Sequence, residues 1–125
     1  MDIIISNAGG VPIYDQITRQ VKGLILRGEL KEGEALPSMR LLARELRISV
    51  ITTKRAYEEL ERDGFIITVA GKGSYVAENN SAVLKEEKMK QLEENVRGLI
   101  EEAYNSGISK EELKEIFDIC LEEYR

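Results

Sequence analysis

The chain contains no histidine and no tryptophan, and among its 125 residues there are one cysteine, two prolines, five tyrosines and two phenylalanines. Each shortage removes a class of function. Without histidine, neither a histidine-based catalytic dyad nor an ordinary zinc site can be assembled. Cys120 has no second thiol with which to form an internal disulfide. No paired-carboxylate pocket or phosphate loop is legible either, because Gly71-Lys72-Gly73 is too short a match to the P-loop pattern. Apolar runs are a few residues long, against the roughly 20 needed to cross a bilayer. Met1-Asp2-Ile3-Ile4-Ile5-Ser6 lacks the basic segment, apolar stretch and small-residue cleavage site of a secretory signal. These absences lead us to expect a cytoplasmic binding protein with no membrane partner, no metal, no cofactor and no enzymatic activity.

Charge is plentiful but unevenly placed. Residues 1–77 carry 11 basic and 10 acidic side chains, whereas residues 78–125 carry 7 and 13. A nearly neutral part with clustered arginines is thus followed by an acidic tail that is poorly suited to lying on phosphate. The length accommodates one small domain and an appendage. We expect the two regions to have different partners.

Hydrophobic spacing gives the elements. Pro12 suits a first helical turn, and Tyr14, Ile17, Val21, Leu24 and Ile25 recur at helical intervals up to Arg27-Gly28, where glycine fits a left-handed end. A polar turn at residues 31–34 and the extended dipeptide Leu36-Pro37 lead to Ser38, an N-cap. The short helix that follows should pack through Leu41, Leu42 and Leu46. After a break at Arg47-Ile48-Ser49, Ser49 should cap a third helix by accepting an N–H near Thr52. Thr53, Ala56, Tyr57 and Leu60 form its buried face, and Val50, Ile51, Lys54, Arg55 and Glu58 its presented one. The β-prone runs 65–69 and 74–76 flank the glycine-rich loop Ala70-Gly71-Lys72-Gly73, which predicts a hairpin. Residues 78–82 read as a polar hinge.

Two short helices joined by a tight turn make a helix-turn-helix, whose second helix fits the major groove of B-DNA, and the hairpin adds a wing. Arg40 lies within the first turn of its helix, where its guanidinium can join the backbone N–H groups in meeting a phosphate or a guanine edge. Lys54 and Arg55 extend that edge. Lys72, between Gly71 and Gly73, can approach a minor groove closely.

Several segments together resemble the winged-helix domain of the GntR family of bacterial transcription regulators. They are residues 12–17, Pro-Ile-Tyr-Asp-Gln-Ile; Gly28-Glu29-Leu30; Gly33 with Leu36-Pro37-Ser38; Arg40-Leu41-Leu42-Ala43; Ala56 to Glu61; Gly64-Phe65-Ile66; and Gly71 to Val76. The short tail is similar to the family's YtrA-like branch, in which such a tail is understood as a dimerisation element. The resemblance implies operator contacts at Arg40, Ser49, Val50, Thr52, Lys54 and Gly71, with Lys72 nearby. Val50-Ile51 departs from the polar or basic residue that many relatives carry after the capping serine. At Val50 we expect apolar contact with thymine methyl groups in place of a hydrogen bond. The branch also suggests a small-molecule effector, which the sequence does not name.

The tail supports the same picture. Met89, Leu92, Val96, Leu99 and Ala103 are spaced 3, 4, 3, 4, as in a heptad seam. Gly107 closes that helix, and Ser109 with Glu112 fits a capping box before a last amphipathic helix containing Leu113, Ile116, Phe117, Cys120, Leu121 and Tyr124. A helical hairpin would leave Ile100, Phe117 and Leu121 uncovered, which favours a second copy as the partner.

The expected fold is mainly α with a small β-hairpin: a winged helix-turn-helix over residues 1–77 and a two-helix dimerisation tail over 78–125. The expected function is a homodimeric repressor on an inverted-repeat, double-stranded DNA operator. The alternative is a winged-helix adaptor that grips another protein without specific DNA binding. In an arbitrary protein, arginines such as Arg44 and Arg47 are ordinary solvated charge, and Glu45 offers them surface pairing. Tyr57 and Tyr14 read as core residues whose hydroxyls can still reach a phosphate at the rim. Cys120 reads as a buried small hydrophobe.

Overall fold

The computed structural model describes residues 1–78 and 81–124. In chain order it contains helices α1 (Ile13–Leu26), α2 (Met39–Leu46) and α3 (Val50–Arg62), strands β1 (Ile66–Val69) and β2 (Gly73–Val76), and helices α4 (Ser81–Asn105) and α5 (Lys110–Glu123). Two compact units are formed, Met1–Lys85 and Glu86–Arg125. Of the expected hinge, Ser81 and Ala82 are already helical, and Asn79 and Asn80 lie outside the described residues. Among the described residues no helix is long and apolar enough to cross a membrane.

Helix boundaries in the first unit have local causes. The Ser38 hydroxyl accepts the Leu41 N–H at 3.1 Å. Ser49 Oγ accepts the N–H of Ile51 at 3.2 Å rather than that of Thr52, which goes to the Ser49 carbonyl at 3.0 Å. Four helices close in one way. The N–H groups of Glu29, Ile48, Phe65 and Ile108 donate to the carbonyls of Leu24, Ala43, Leu60 and Ala103, five residues back, each at 2.9 Å. That closure passes one residue through the left-handed region. In α1, α3 and α4 this residue is glycine, Gly28, Gly64 and Gly107, but in α2 it is Arg47 at φ 57°. The tight turn between α2 and α3 is therefore made against the intrinsic preference of an L-residue.

The core of this unit joins Ile17, Val21 and Ile25 of α1 with Leu42 of α2, Ala56, Tyr57 and Leu60 of α3, and Phe65, Ile66 and Val76 of the hairpin. The expected stripe on α2 needs correction: Leu41 is 42% exposed, and Ala43 is buried in its place. The face turned to the core runs through Met39, Leu42, Ala43 and Leu46, the i, i+3, i+4, i+7 set of one helical stripe, and Leu41 falls outside that arc.

Two hydroxyls on the buried face of α3 fix the start of α2. The Thr53 hydroxyl donates to the Met39 carbonyl at 2.9 Å and shares its proton with the Val50 carbonyl at 3.0 Å. Tyr57 donates to the Pro37 carbonyl at 2.6 Å. Burial, with the Glu45 carboxylate adding to it, pushes the Tyr57 phenol above the usual tyrosine range. It therefore stays a donor throughout the physiological range.

In the hairpin, Ile66 pairs with Val76, Ile67 with Tyr75, Thr68 with Ser74 and Val69 with Gly73. The Lys72 N–H closes the turn on the Val69 carbonyl at 2.9 Å, with Gly71 at φ 75° in the third position. The segment expected to be a polar turn and an extended lead also lies along β2. Gly33 N–H and Leu36 N–H donate to the carbonyls of Val76 and Ser74, and Val76 N–H donates to Glu34, all at 2.9 Å. A bridge between Ala35 and Tyr75 completes this third edge.

An arm before α1 is held similarly by side chains. The Gln20 amide accepts from Ile4 N–H at 2.9 Å and donates to the Ile4 carbonyl at 2.6 Å, while Gln16 accepts from Ser6 N–H at 2.9 Å and donates to the Ser6 carbonyl at 2.7 Å. Ile3 is thereby buried and Ile4 exposed.

In the second unit the expected capping box is present. Ser109 Oγ accepts Glu112 N–H at 3.1 Å, and Glu112 Oε1 accepts Ser109 N–H at 3.0 Å. These bonds hold the Glu112 carboxyl below the usual carboxylate range. Much of the apolar surface of α4 and α5 is uncovered: Met89, Leu92, Val96, Leu99 and Ile100 are exposed, as are Ile116, Phe117 and Leu121, whereas Ala103 is buried. Cys120, expected to be buried, is exposed, because among the described residues nothing lies over its stripe.

Three outcomes follow from these contacts. Arg47→Gly relieves the left-handed backbone and should raise stability by about 0.5–1 kcal/mol, read as a shift in the urea midpoint without a change of slope. Tyr57→Phe leaves the Pro37 carbonyl unsatisfied and should cost about 1–2 kcal/mol in the same assay. The folded pKa of Glu112 is depressed, so its contribution to α5 is present above the unfolded carboxylate value and is lost as pH falls through the folded one. Backbone amide shifts of residues 110–112 should therefore report fraying in the native chain at pH values below the usual carboxylate range, and no such titration in Glu112→Gln.

Candidate nucleic-acid interface

A helix that stands on a turn presents its first residues and its outer face, and in this chain several of those positions, Arg40, Val50, Ile51 and Lys54, are cationic or apolar. Arg40, the second residue of α2, is exposed and makes no ion pair among the described residues. Arg44 and Arg47 are likewise exposed, and the expected pairing with Glu45 is not formed within ion-pair distance. On α3, Lys54 Nζ lies 4.0 Å from Glu58 Oε1, with both side chains largely in solvent. That contact is weak enough to be exchanged for a phosphate.

Each residue singled out from the sequence has a definite place. Ser49 spends its hydroxyl on the cap of α3. Thr52 is half-buried, while Val50 and Ile51 are 42% and 79% exposed. Arg55 lies on the outer face of α3 with its guanidinium 3.8 Å from the centroid of the Tyr14 ring, a cation–π stack that joins α3 to α1. Gly71 and Lys72 are exposed at the hairpin tip, where the Tyr75 hydroxyl donates to the Lys72 carbonyl at 3.0 Å.

The structure brings Arg40 together with the first turn of α3, since the Thr53–Met39 bond pins the start of one helix to the other. Gly71 and Lys72 belong to a separate prominence. Their hairpin is tied to the last turns of α3, where Thr68 Oγ1 donates to Glu61 Oε2 at 3.3 Å. The start of α2 and the hairpin are thus both fastened to α3, one near its first turn and the other near its last. Tyr57 is removed from the rim, because its hydroxyl is committed to Pro37. No group of three acidic or cysteine side chains among the described residues is placed to hold a metal.

Sequence reasoning missed the Tyr14–Arg55 stack, because it joins different helices and no spacing rule announces it. Ile51, placed on the presented face of α3 by its spacing, stands nearly opposite Thr53 and Leu60 and is exposed as expected.

This geometry recurs in known proteins. The profile of the bacterial regulatory proteins of the gntR family matches residues 13–76, from the first residue of α1 to the last of β2. The HTH-type transcriptional repressor YtrA of Bacillus subtilis (strain 168) is 42% identical over 113 residues, which span 90% of this chain and 87% of that protein. The solved structure of a GntR family transcriptional regulator from Listeria monocytogenes is 34% identical and superposes with a TM-score of 0.74, covering 91% of this chain and 97% of its own. The AraR DNA-binding domain in complex with an operator, 21% identical with a TM-score of 0.55 over 62% of this chain and 96% of that one, shares the fold. With the whole winged helix-turn-helix matched and a relative alike over nearly its full length, this chain belongs to the gntR family of bacterial regulatory proteins.

Proposed function

We propose that the chain is a transcriptional repressor that binds an inverted-repeat operator as a homodimer, with residues 1–77 on the DNA and residues 78–125 joining two copies. The observation that carries this reading is the set of cations left without strong intramolecular partners where α2 and α3 begin, Arg40 and Lys54 above all. It is supported by the likeness to a protein named as a repressor and by the appearance of the same fold on an operator. Arg40 meets a guanine edge or a phosphate, Val50 and Thr52 approach base edges, Lys54 and Arg55 take backbone phosphates, and Gly71-Lys72 follows the minor groove. Ser49 contributes through the α3 N-terminus that it caps. Since bacterial DNA lies in the cytoplasm, the protein acts there.

The second copy is supported by the tail. An apolar band comprising Met89, Leu92, Val96, Leu99 and Ile100 stands in solvent beside the buried Ala103, and Ile116, Phe117 and Leu121 extend the exposed apolar surface. Isolated helices with such faces are marginal in water, and pairing two copies removes the faces from it. Symmetric pairing would present two recognition helices to a two-fold operator. A small-molecule effector acting through the tail would supply the release signal.

Selection from a random duplex pool at moderate salt should enrich an inverted repeat. Against that duplex, Arg40→Ala should weaken binding by about tenfold to a hundredfold and relax one base preference. Lys54→Ala should lower the slope of log affinity against log salt by about one. Both variants should keep the sedimentation behaviour of the native dimer. A pool without any enriched motif, from protein that is folded and dimeric, would overturn the repressor reading in favour of the adaptor.

A further inference from the structure

Val50 and Ile51 open α3 with two β-branched hydrocarbon side chains in succession, and neither is covered. Ile51 is 79% exposed and Val50 42%. At 3.6 residues per turn Ile51 falls almost opposite the stripe of Thr53, Ala56, Tyr57 and Leu60 that binds α3 to the core. It therefore has no prospect of cover from its own unit. Its surroundings are cationic: Arg40 is held close by the Thr53–Met39 bond, and Lys54 lies one turn along α3. An apolar pair flanked by Arg40 and Lys54 is complementary to a polyanion that also displays hydrocarbon. Duplex DNA meets both requirements, since the thymine 5-methyl group is the apolar feature exposed in its major groove.

We infer that Val50 and Ile51 together read pyrimidine 5-methyl groups, so that each operator half-site carries thymine, and tolerates 5-methylcytosine, where the start of α3 meets the bases. The inference rests on the operator-binding reading and deepens it. Neither side chain has a hydrogen-bond donor or acceptor, so discrimination at these steps comes from burying a methyl group and from rejecting a base edge whose polar groups would be left unpaired. Ile51 is the larger contributor because more of its surface is available to bury.

The test takes the enriched duplex and replaces its thymines one at a time with deoxyuridine, which removes the 5-methyl group and leaves base pairing intact. Binding is read by fluorescence anisotropy on the full chain. At one or two positions per half-site the affinity should fall about fourfold, the worth of one buried methyl. In Ile51→Ala or Val50→Ala the same replacement should be silent, as a double-mutant cycle requires for directly coupled groups. Both variants remove exposed side chains and introduce a better helix former, so the fold is expected to be retained, with circular dichroism as the check. Enrichment of a motif that binds equally well with deoxyuridine throughout would overturn the methyl reading while leaving the repressor reading standing. If thymine and deoxyuridine duplexes are equivalent and Ile51→Ala changes the sedimentation of the free protein, the pair is instead a contact between copies. A pool with no enriched motif would overturn both readings together.

Discussion

The geometry of the interface depends on two hydroxyls on the buried side of α3. Thr53 and Tyr57 stand four residues apart, and the carbonyls to which they donate, Met39 and Pro37, stand two residues apart. Four residues of helix rise about 6 Å and two residues of extended chain about 6.6 Å, so one helical face can bracket the point at which an extended lead turns into α2. Both donors are buried, so each hydroxyl depends on the backbone carbonyl it meets. Leaving either unmet would cost more than most surface contacts return. This is why α2, only eight residues long and below the length at which a helix persists alone, can hold Arg40 beside the first turn of α3.

The rest of the first unit protects that arrangement. Leu42 and Ala43 fill the space between α2 and α3, while Ile17, Val21 and Ile25 close α3 from the other side. The third edge formed by residues 33–36 keeps the approach to Pro37 straight by pairing it with β2, which also roots the wing. Lys22 adds a link from α1 to the end of α3, lying 2.7 Å from Asp63 and over the Phe65 ring. Arg40 on α2 and Lys54 at the start of α3 are left for a partner, where hydroxyls and hydrocarbon have already done the holding.

Legibility in the sequence followed the range of the interaction. Features set by neighbours in the chain were readable: the caps at Ser38 and Ser49, the box of Ser109 with Glu112, the glycine stops and the glycine-rich hairpin loop all depend on residues within a few positions of one another. The register of α2 was misread because Leu41 and Leu42 are equally apolar and only the closeness of α3 selects Leu42 with Ala43. The third edge was missed because residues 31–34 carry turn chemistry and their pairing partner lies across the fold. The Tyr14–Arg55 stack and the hydroxyl bonds of Thr53 and Tyr57 join distant segments, which spacing cannot announce. Of the site itself, the cations and the presented face of α3 were visible in advance, but the means of holding them in place was not.

The arm before α1 repeats the same match of helix to extended chain, with Gln16 and Gln20, four residues apart, gripping Ser6 and Ile4, two apart. Because an extended chain alternates its side chains, this grip fixes which isoleucines face inward. Losing or gaining one residue between Ile4 and Ser6 would turn Ile3 outward and drive Ile4 toward the core, although the composition would hardly change. Gly9 and Gly10 lie beyond the grip, and a Cβ added at either would meet nothing within 4 Å. Length variation in this stretch is therefore absorbed at residues 7–10 and refused at 4–6, a boundary that lineages of the protein should respect in where they accept insertions and deletions.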